Sequence, residues 1–177
     1  MKPLVVYFSH SGNNRLLAEH LATRLACDSC PVIEKRRRSM ITIFMDMMFN
    51  RRPAIEPIAC KLADYDRIIL VAPIWGSKVA NPMKSLIEQQ QASLPGYAFI
   101  SLCGHGTPEQ EATITQELTT LTGHRPLAIA ELRIRELLPD ALKEDVKAIT
   151  RYRATLEDLA TFEPRIDHFM QTLKRGI

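Results

Sequence analysis

The sequence predicts an α/β fold, a doubly wound five-stranded parallel sheet with helices on both faces, on three observations. Runs such as Pro3–Phe8, Asp66–Pro73 and Tyr97–Leu102 are largely apolar and β-rich, which marks strands buried on both faces. Segments with apolar residues at helical spacing lie between them, and alternating strands and helices make parallel sheets. The length, 177 residues, is one domain at about 150 residues per domain. A chain of that size buries roughly 70% of its unfolded surface, a full core without staples. At 46% hydrophobic and 24% charged residues, with seven glycines, the composition excludes disordered, collagen-like and disulfide-scaffold classes.

The elements follow in order. A first strand over residues 3–8 runs into the polar turn Ser9-His10-Ser11-Gly12-Asn13-Asn14. Leu16, Leu17, His20, Leu21 and Leu25 then give an amphipathic helix over 13–26. Pro31–Glu34 reads as a short second strand. Residues 35–58 break the rhythm as a basic, Met-rich helical insertion between strands two and three. The third strand, 66–73, passes through Ile74-Trp75-Gly76-Ser77 into a helix with Pro82 in its first turn. The fourth strand, 97–102, leads to Cys103-Gly104-His105-Gly106-Thr107-Pro108. A helix carrying Ile114, Leu118 and Leu121 ends at Gly123, residues 126–132 form the fifth strand, and the tail over 141–174 is helical.

The apolar start is too short for a signal-peptide core, and no stretch reaches the ~18–20 apolar residues of a membrane span. The expectation is therefore a cytoplasmic protein whose four cysteines, Cys27, Cys30, Cys60 and Cys103, stay as thiols. Cys27-Asp28-Ser29-Cys30 is a CxxC, but a structural zinc site needs four ligands and no second pair exists. A redox pair wants its first Cys at a helix N-terminus, and this one follows a helix. The expectation is two buried small residues at a helix–strand corner, and no metal.

In open parallel sheets ligands bind at the carboxyl ends of strands, near the switch in strand order. The loops after strands one, three and four are the candidates. Ser9, Ser11, Gly12, Asn13 and Asn14 place small donors and free amides at a helix N-terminus, which makes either a phosphate cradle or a capped polar turn. No GxxxxGK[ST] or GxGxxG is present. Uncharged donors suit a monophosphate that is not transferred. Trp75, the only tryptophan, either fills a gap or stacks on a flat ligand. Gly104-His105-Gly106 is either a tight turn or a set of amides and one imidazole at the mouth of strand four.

Taken together, the three loops resemble those of the flavodoxin-like family of FMN-binding proteins over essentially the whole chain. Ser9-His10-Ser11-Gly12-Asn13-Asn14 is similar to that family's phosphate loop, with Asn14 where the pattern has a hydroxyl. Pro73-Ile74-Trp75-Gly76, followed by Ala80-Asn81-Pro82, resembles the loop that packs an aromatic ring on the flavin. Cys103-Gly104-His105-Gly106 lies where the third loop borders the ring. The resemblance implies strand order 2-1-3-4-5 and non-covalent FMN, with Trp75 stacked on the isoalloxazine and the Trp75–Gly76 peptide near its N5. It also implies a role for His105 at the pyrimidine edge or in proton delivery.

Charge is localised. Residues 1–58 carry nine Lys/Arg against five Asp/Glu, the remainder 14 against 15. Lys35-Arg36-Arg37-Arg38 and Arg51-Arg52 flank a helix over 39–50 that holds four of the seven methionines, with Ser39, Thr42, Asp46 and Asn50 as one polar stripe. Three uses are open: packing on the sheet edge or against a second copy in a homodimer, a lid over the flavin or an acceptor pocket, or peripheral contact of 36–52 with the inner membrane face. Nucleic-acid binding matches no standard module. The function expected is NAD(P)H-dependent reduction of a quinone or similar flat acceptor. The alternatives are an electron carrier docking on a redox partner protein, disfavoured by the +3 net charge, and a flavin-free interaction module.

Overall fold

Strand pairing in the computed structural model, which describes residues 2–36 and 39–175 (Met40 by its backbone alone), follows the expected doubly wound order. β1 (Pro3–Tyr7) lies between β2 (Asp28–Pro31) and β3 (Arg67–Val71). β3 pairs with β4 (Tyr97–Cys103), and β4 with β5 (Ile129–Arg133). All four pairings are parallel, and the spatial order is 2-1-3-4-5.

Side chains alternate between two cores because successive strand residues face opposite sides. Val5, Ile69, Val71, Ala98 and Ile100 meet α1 (Asn13–Leu25) and α6 (Leu156–Arg175) on one face. Leu4, Val6, Ile68, Leu70 and Phe99 meet α3 (Asn81–Gln90) and α4 (Gln110–Thr122) on the other. Two shorter helices, α2 (Met40–Met48) and α5 (Val146–Arg151), complete the set.

Three expectations shift. The second strand is Asp28–Pro31, not 31–34: α1 closes on Ala26 in a left-handed conformation, so the chain turns straight into pairing Leu4 with Asp28. Cys30 is thereby a buried strand residue, and Cys27 is half-buried. The fifth strand begins at Ile129, with Leu127 and Ala128 still in hydrogen-bonding register with β4, which carries it on to Arg133. The tail is not one helix. Residues 152–155 are extended, and Thr155 and Asp158 exchange capping hydrogen bonds that start α6 afresh.

Candidate functional site

The first loop is a tight turn delivering α1 to the carboxyl end of β1. Gly12 has φ +96°, a left-handed conformation that glycine adopts without strain, and its N–H donates to Ser9 Oγ at 3.1 Å. No side chain caps α1, and its first intrahelical bond runs from the Leu16 N–H to the Gly12 carbonyl. The amides of Asn13, Asn14 and Arg15 thus have no acceptor within the helix. The first turn contains no acid, and exposed Arg15 stands in it where the helix dipole disfavours a cation. The positive end of the helix dipole and the Arg15 charge, which pairs with Glu19 at 3.6 Å, meet at this turn. A cleft of about 520 Å³ opens over it, lined by Ser9, His10, Ser11, Gly12, Arg15 and the chain after β2.

Both asparagine side chains have other partners. Asn14 is buried and spans to β4, accepting the Leu102 N–H at 3.0 Å and donating to the Leu102 carbonyl at 3.1 Å. Asn13 is buried as well, donating to the Tyr152 carbonyl and accepting the Ala154 N–H, each at 3.1 Å. What these residues offer a ligand is their backbone N–H.

The second loop is a two-residue hairpin. Ile74–Trp75 pairs antiparallel with Lys78–Val79, and Gly76 and Ser77 have φ +55° and +57°, a type I′ turn. Pro73 precedes it, and its carbonyl accepts the Ala80 N–H at 3.0 Å. Glu117 on α4 holds this ribbon from beneath, accepting the Val79 N–H at 2.7 Å and pairing with buried Lys84 at 2.5 Å. Trp75 is half-buried, its ring edge-on to Phe8 at 5.9 Å and to His10 at 6.1 Å between centroids. It leans on the first loop.

The third loop leaves β4 at buried Cys103, whose thiol is pushed up to about 12 by burial and the nearby Glu131 charge. The Gly104 carbonyl accepts the Arg135 N–H at 3.3 Å. Exposed His105 has its Nε2 2.9 Å from the Arg135 guanidinium. The same Nε2 lies 3.4 Å from the Glu144 carboxylate, so the ring can accept from one neighbour or donate to the other. Gly106 has φ +72°, and a Cβ there would stand 2.6 Å from Arg133 Nε. Any other residue would take a strained backbone and push the Arg133 side chain aside.

The three loops meet. The Asn14–Leu102 bonds tie the first to the third, the Trp75 contacts tie the second to the first, and all lie at carboxyl ends of β1, β3 and β4. A larger cleft of about 620 Å³ lies away from them, beside the segments leading into β3 and β4.

No protein-family model matches the chain, and no curated protein sequence does. Solved structures do. A flavoprotein in complex with FMN from Lactobacillus acidophilus superposes with TM-score 0.63 at 19% identity, over 73% of this chain and 92% of that one. A protein of Bacteroides eggerthii assigned as a flavoprotein gives TM-score 0.64 at 18% identity, over 84% and 98%. Streptococcus pneumoniae flavodoxin gives 0.50 at 13%, over the whole of both. This chain has the flavodoxin-like fold. In a flavodoxin-like sheet of order 2-1-3-4-5 the switch point falls between β1 and β3, where the first two loops meet.

Three contributors were not foreseen. Arg15 was not among the predicted site residues, although a cation in a first turn without acids is itself a signal. Arg135, whose guanidinium lies 2.9 Å from His105 Nε2, and Met47, whose Sδ lies 3.4 Å from where a Gly76 Cβ would be, carry no local signal. They arrive through tertiary packing.

Proposed function

We propose that this chain binds FMN across the three loops and, as an oxidoreductase, uses NAD(P)H to reduce a quinone or similar flat acceptor. The observation that carries the reading is the uncapped, electropositive start of α1 directly beside Trp75. A phosphate there would meet the amides of Asn13, Asn14 and Arg15, the Ser11 hydroxyl and the Arg15 charge. Trp75 offers the chain's largest flat side chain to an isoalloxazine, and His105 offers an exposed imidazole at the third loop. FMN would supply one- or two-electron redox chemistry, the protein orientation and electrostatic tuning.

The test is titration of the purified protein with FMN, read by quenching of flavin fluorescence. Stoichiometric uptake is expected, and Ser11→Asp should abolish it by placing a carboxylate in the phosphate position. Absence of uptake by the parent chain overturns the proposal. With FMN bound, anaerobic NADH or NADPH should bleach the flavin and a soluble quinone restore it. Flavin that stays oxidised with both nucleotides leaves FMN binding standing and overturns the reductase reading in favour of an electron carrier.

A further inference from the structure

Five apolar side chains of the insertion stand in solvent: Ile41 is 75% exposed, with Phe44, Met45, Met48 and Phe49 beside it. Their spacing is i, i+3, i+4, i+7, i+8, the stripe that a surface helix ordinarily turns toward its core. α2 presents it outward. The rest of the chain is met by the opposite, narrower side, through buried Ile43, the Asp46 carbonyl that accepts from Asn81 at 2.7 Å, and Met47 beside Gly76. The orientation is held at both ends. Ser39 caps the helix, while Arg52 pairs with Glu88 at 2.7 Å and the Pro53 carbonyl accepts from Ser85 at 2.8 Å.

The charge around the stripe is predominantly positive. From Lys35 to Arg52 the sequence has six Lys/Arg and one acid, Asp46. Lys35, Arg36 and Arg51 are exposed, and the Arg51 guanidinium lies 5.2 Å from the Phe49 ring centroid. Arg37 and Arg38 lie outside the described residues.

We infer that α2 docks this protein on an anionic lipid surface, its apolar stripe entering the acyl boundary and the flanking cations resting on headgroups. An apolar stripe bracketed by basic residues is the pattern of a helix lying in the interface plane. At nine residues, about 14 Å long at 1.5 Å per residue, α2 lies on a bilayer instead of crossing it. No helix among the described residues is long and apolar enough to span a membrane. A second copy of the chain fits the surface worse, because a two-fold contact would bring two sets of these cations together with one Asp46 apiece. Docking would also bring the Trp75–Gly76 turn, which Met47 touches, toward the bilayer, where flat apolar acceptors dissolve. The docking itself does not rest on the flavin reading.

Flotation of the full chain with vesicles tests it. The chain is expected to float with phosphatidylcholine vesicles containing one-third phosphatidylglycerol, to stay behind with phosphatidylcholine alone, and to be released by high salt. Each cation near an anionic surface is worth about fivefold in partitioning, so Arg36→Gln/Arg51→Gln should weaken it roughly 25-fold. Phe44→Ser/Phe49→Ser should weaken it about 100-fold, at roughly tenfold per partly buried ring. All four side chains are exposed, and circular dichroism checks that both variants fold. Absence of flotation with the anionic vesicles overturns the proposal, as does flotation undiminished in both variants. Self-association in free solution that the Phe44→Ser/Phe49→Ser pair abolishes also overturns it, by assigning the stripe to a second copy.

Discussion

The ribbon that carries Trp75 hangs on one carboxylate, and removing its charge probes the site most directly. Lys84 is 1% exposed with its Nζ 2.5 Å from Glu117 Oε1, while Glu117 Oε2 accepts the Val79 N–H. Burial pulls the Lys84 pKa below the usual 10.5, and the Glu117 charge opposes the fall. In Glu117→Gln the amide keeps an acceptor for Val79 but leaves the ammonium beside a neutral group. Breaking one side of a buried pair costs about 3–5 kcal/mol. Glu117 is 19% exposed, which points to the lower end, ~3 kcal/mol. The corresponding fall in Tm is roughly 6–12 °C for a domain of this size. Lys84→Met should cost less, ~1 kcal/mol, since the carboxylate left behind reaches water. The double variant should resemble Lys84→Met, which gives a coupling of ~3 kcal/mol.

The pH dependence supplies an independent sign for the same substitution. A lysine with its folded pKa below 10.5 binds fewer protons folded than unfolded between the two values, so stability rises with pH across that window. The window widens in Glu117→Gln, where the opposing charge is gone, so its deficit should shrink between neutral pH and 10.5. Urea denaturation of the four proteins at neutral and alkaline pH measures both effects. A Glu117→Gln cost below ~1 kcal/mol, or a deficit that grows with pH, refutes the reasoning.

Three further outcomes are expected. Gly76→Val forces a β-branched residue to φ +55° with its Cβ against Met47 Sδ at 3.4 Å; it should cost ~1–2 kcal/mol in urea denaturation and, under the proposed FMN binding, shift the flavin potential. An unchanged potential would remove the Trp75–Gly76 peptide from any tuning role. Asn14→Ala strands the Leu102 N–H and carbonyl in the core and should cost about 2–4 kcal/mol; a loss under ~1 kcal/mol would mean water replaces the amide. Alkylation by iodoacetamide at neutral pH should be slow for Cys103 and Cys60, whose thiols are pushed up to about 12 and about 11, and rapid in urea. For Cys103 the raised value means stability present below pH 9 and lost as pH climbs toward about 12, a loss that Cys103→Ala should abolish.

Particular residues show why some features could be read in advance and others could not. Apolar runs such as Ile68–Val71 and Ala98–Leu102 announce strands because burial on both faces leaves no room for polar alternation. The second strand was placed three residues late and the fifth ended one residue short because Asp28, Ser29 and Arg133 are poor strand formers locally. They become strand residues only by pairing with Leu4, Val5 and Cys103. The tail looked like one helix by periodicity, although Thr155-x-x-Asp158 is a capping box readable in the sequence. Ser39 and Asn50 were counted on the polar stripe of α2 but lie beyond its ends, Ser39 as the cap and Asn50 at φ +49°. The insertion's apolar circumference suggested burial, whereas five of its side chains face water.

By itself the sequence determined the doubly wound class, the three loops and the turn glycines, because these depend on local hydrophobic pattern and backbone freedom. Gly12 and Gly76 both sit at positive φ. Tertiary structure decided what each polar side chain in those loops is for. Asn13 and Asn14 face partners more than 80 residues away, at Tyr152, Ala154 and Leu102, which assigns their amides to holding the loop and leaves only their backbone to a ligand. It also decided which side of α2 is spent on the protein. A helix with apolar residues nearly all round has several burial solutions of similar pattern, and only the contacts of Ile43, Asp46 and Met47 with their neighbours select one.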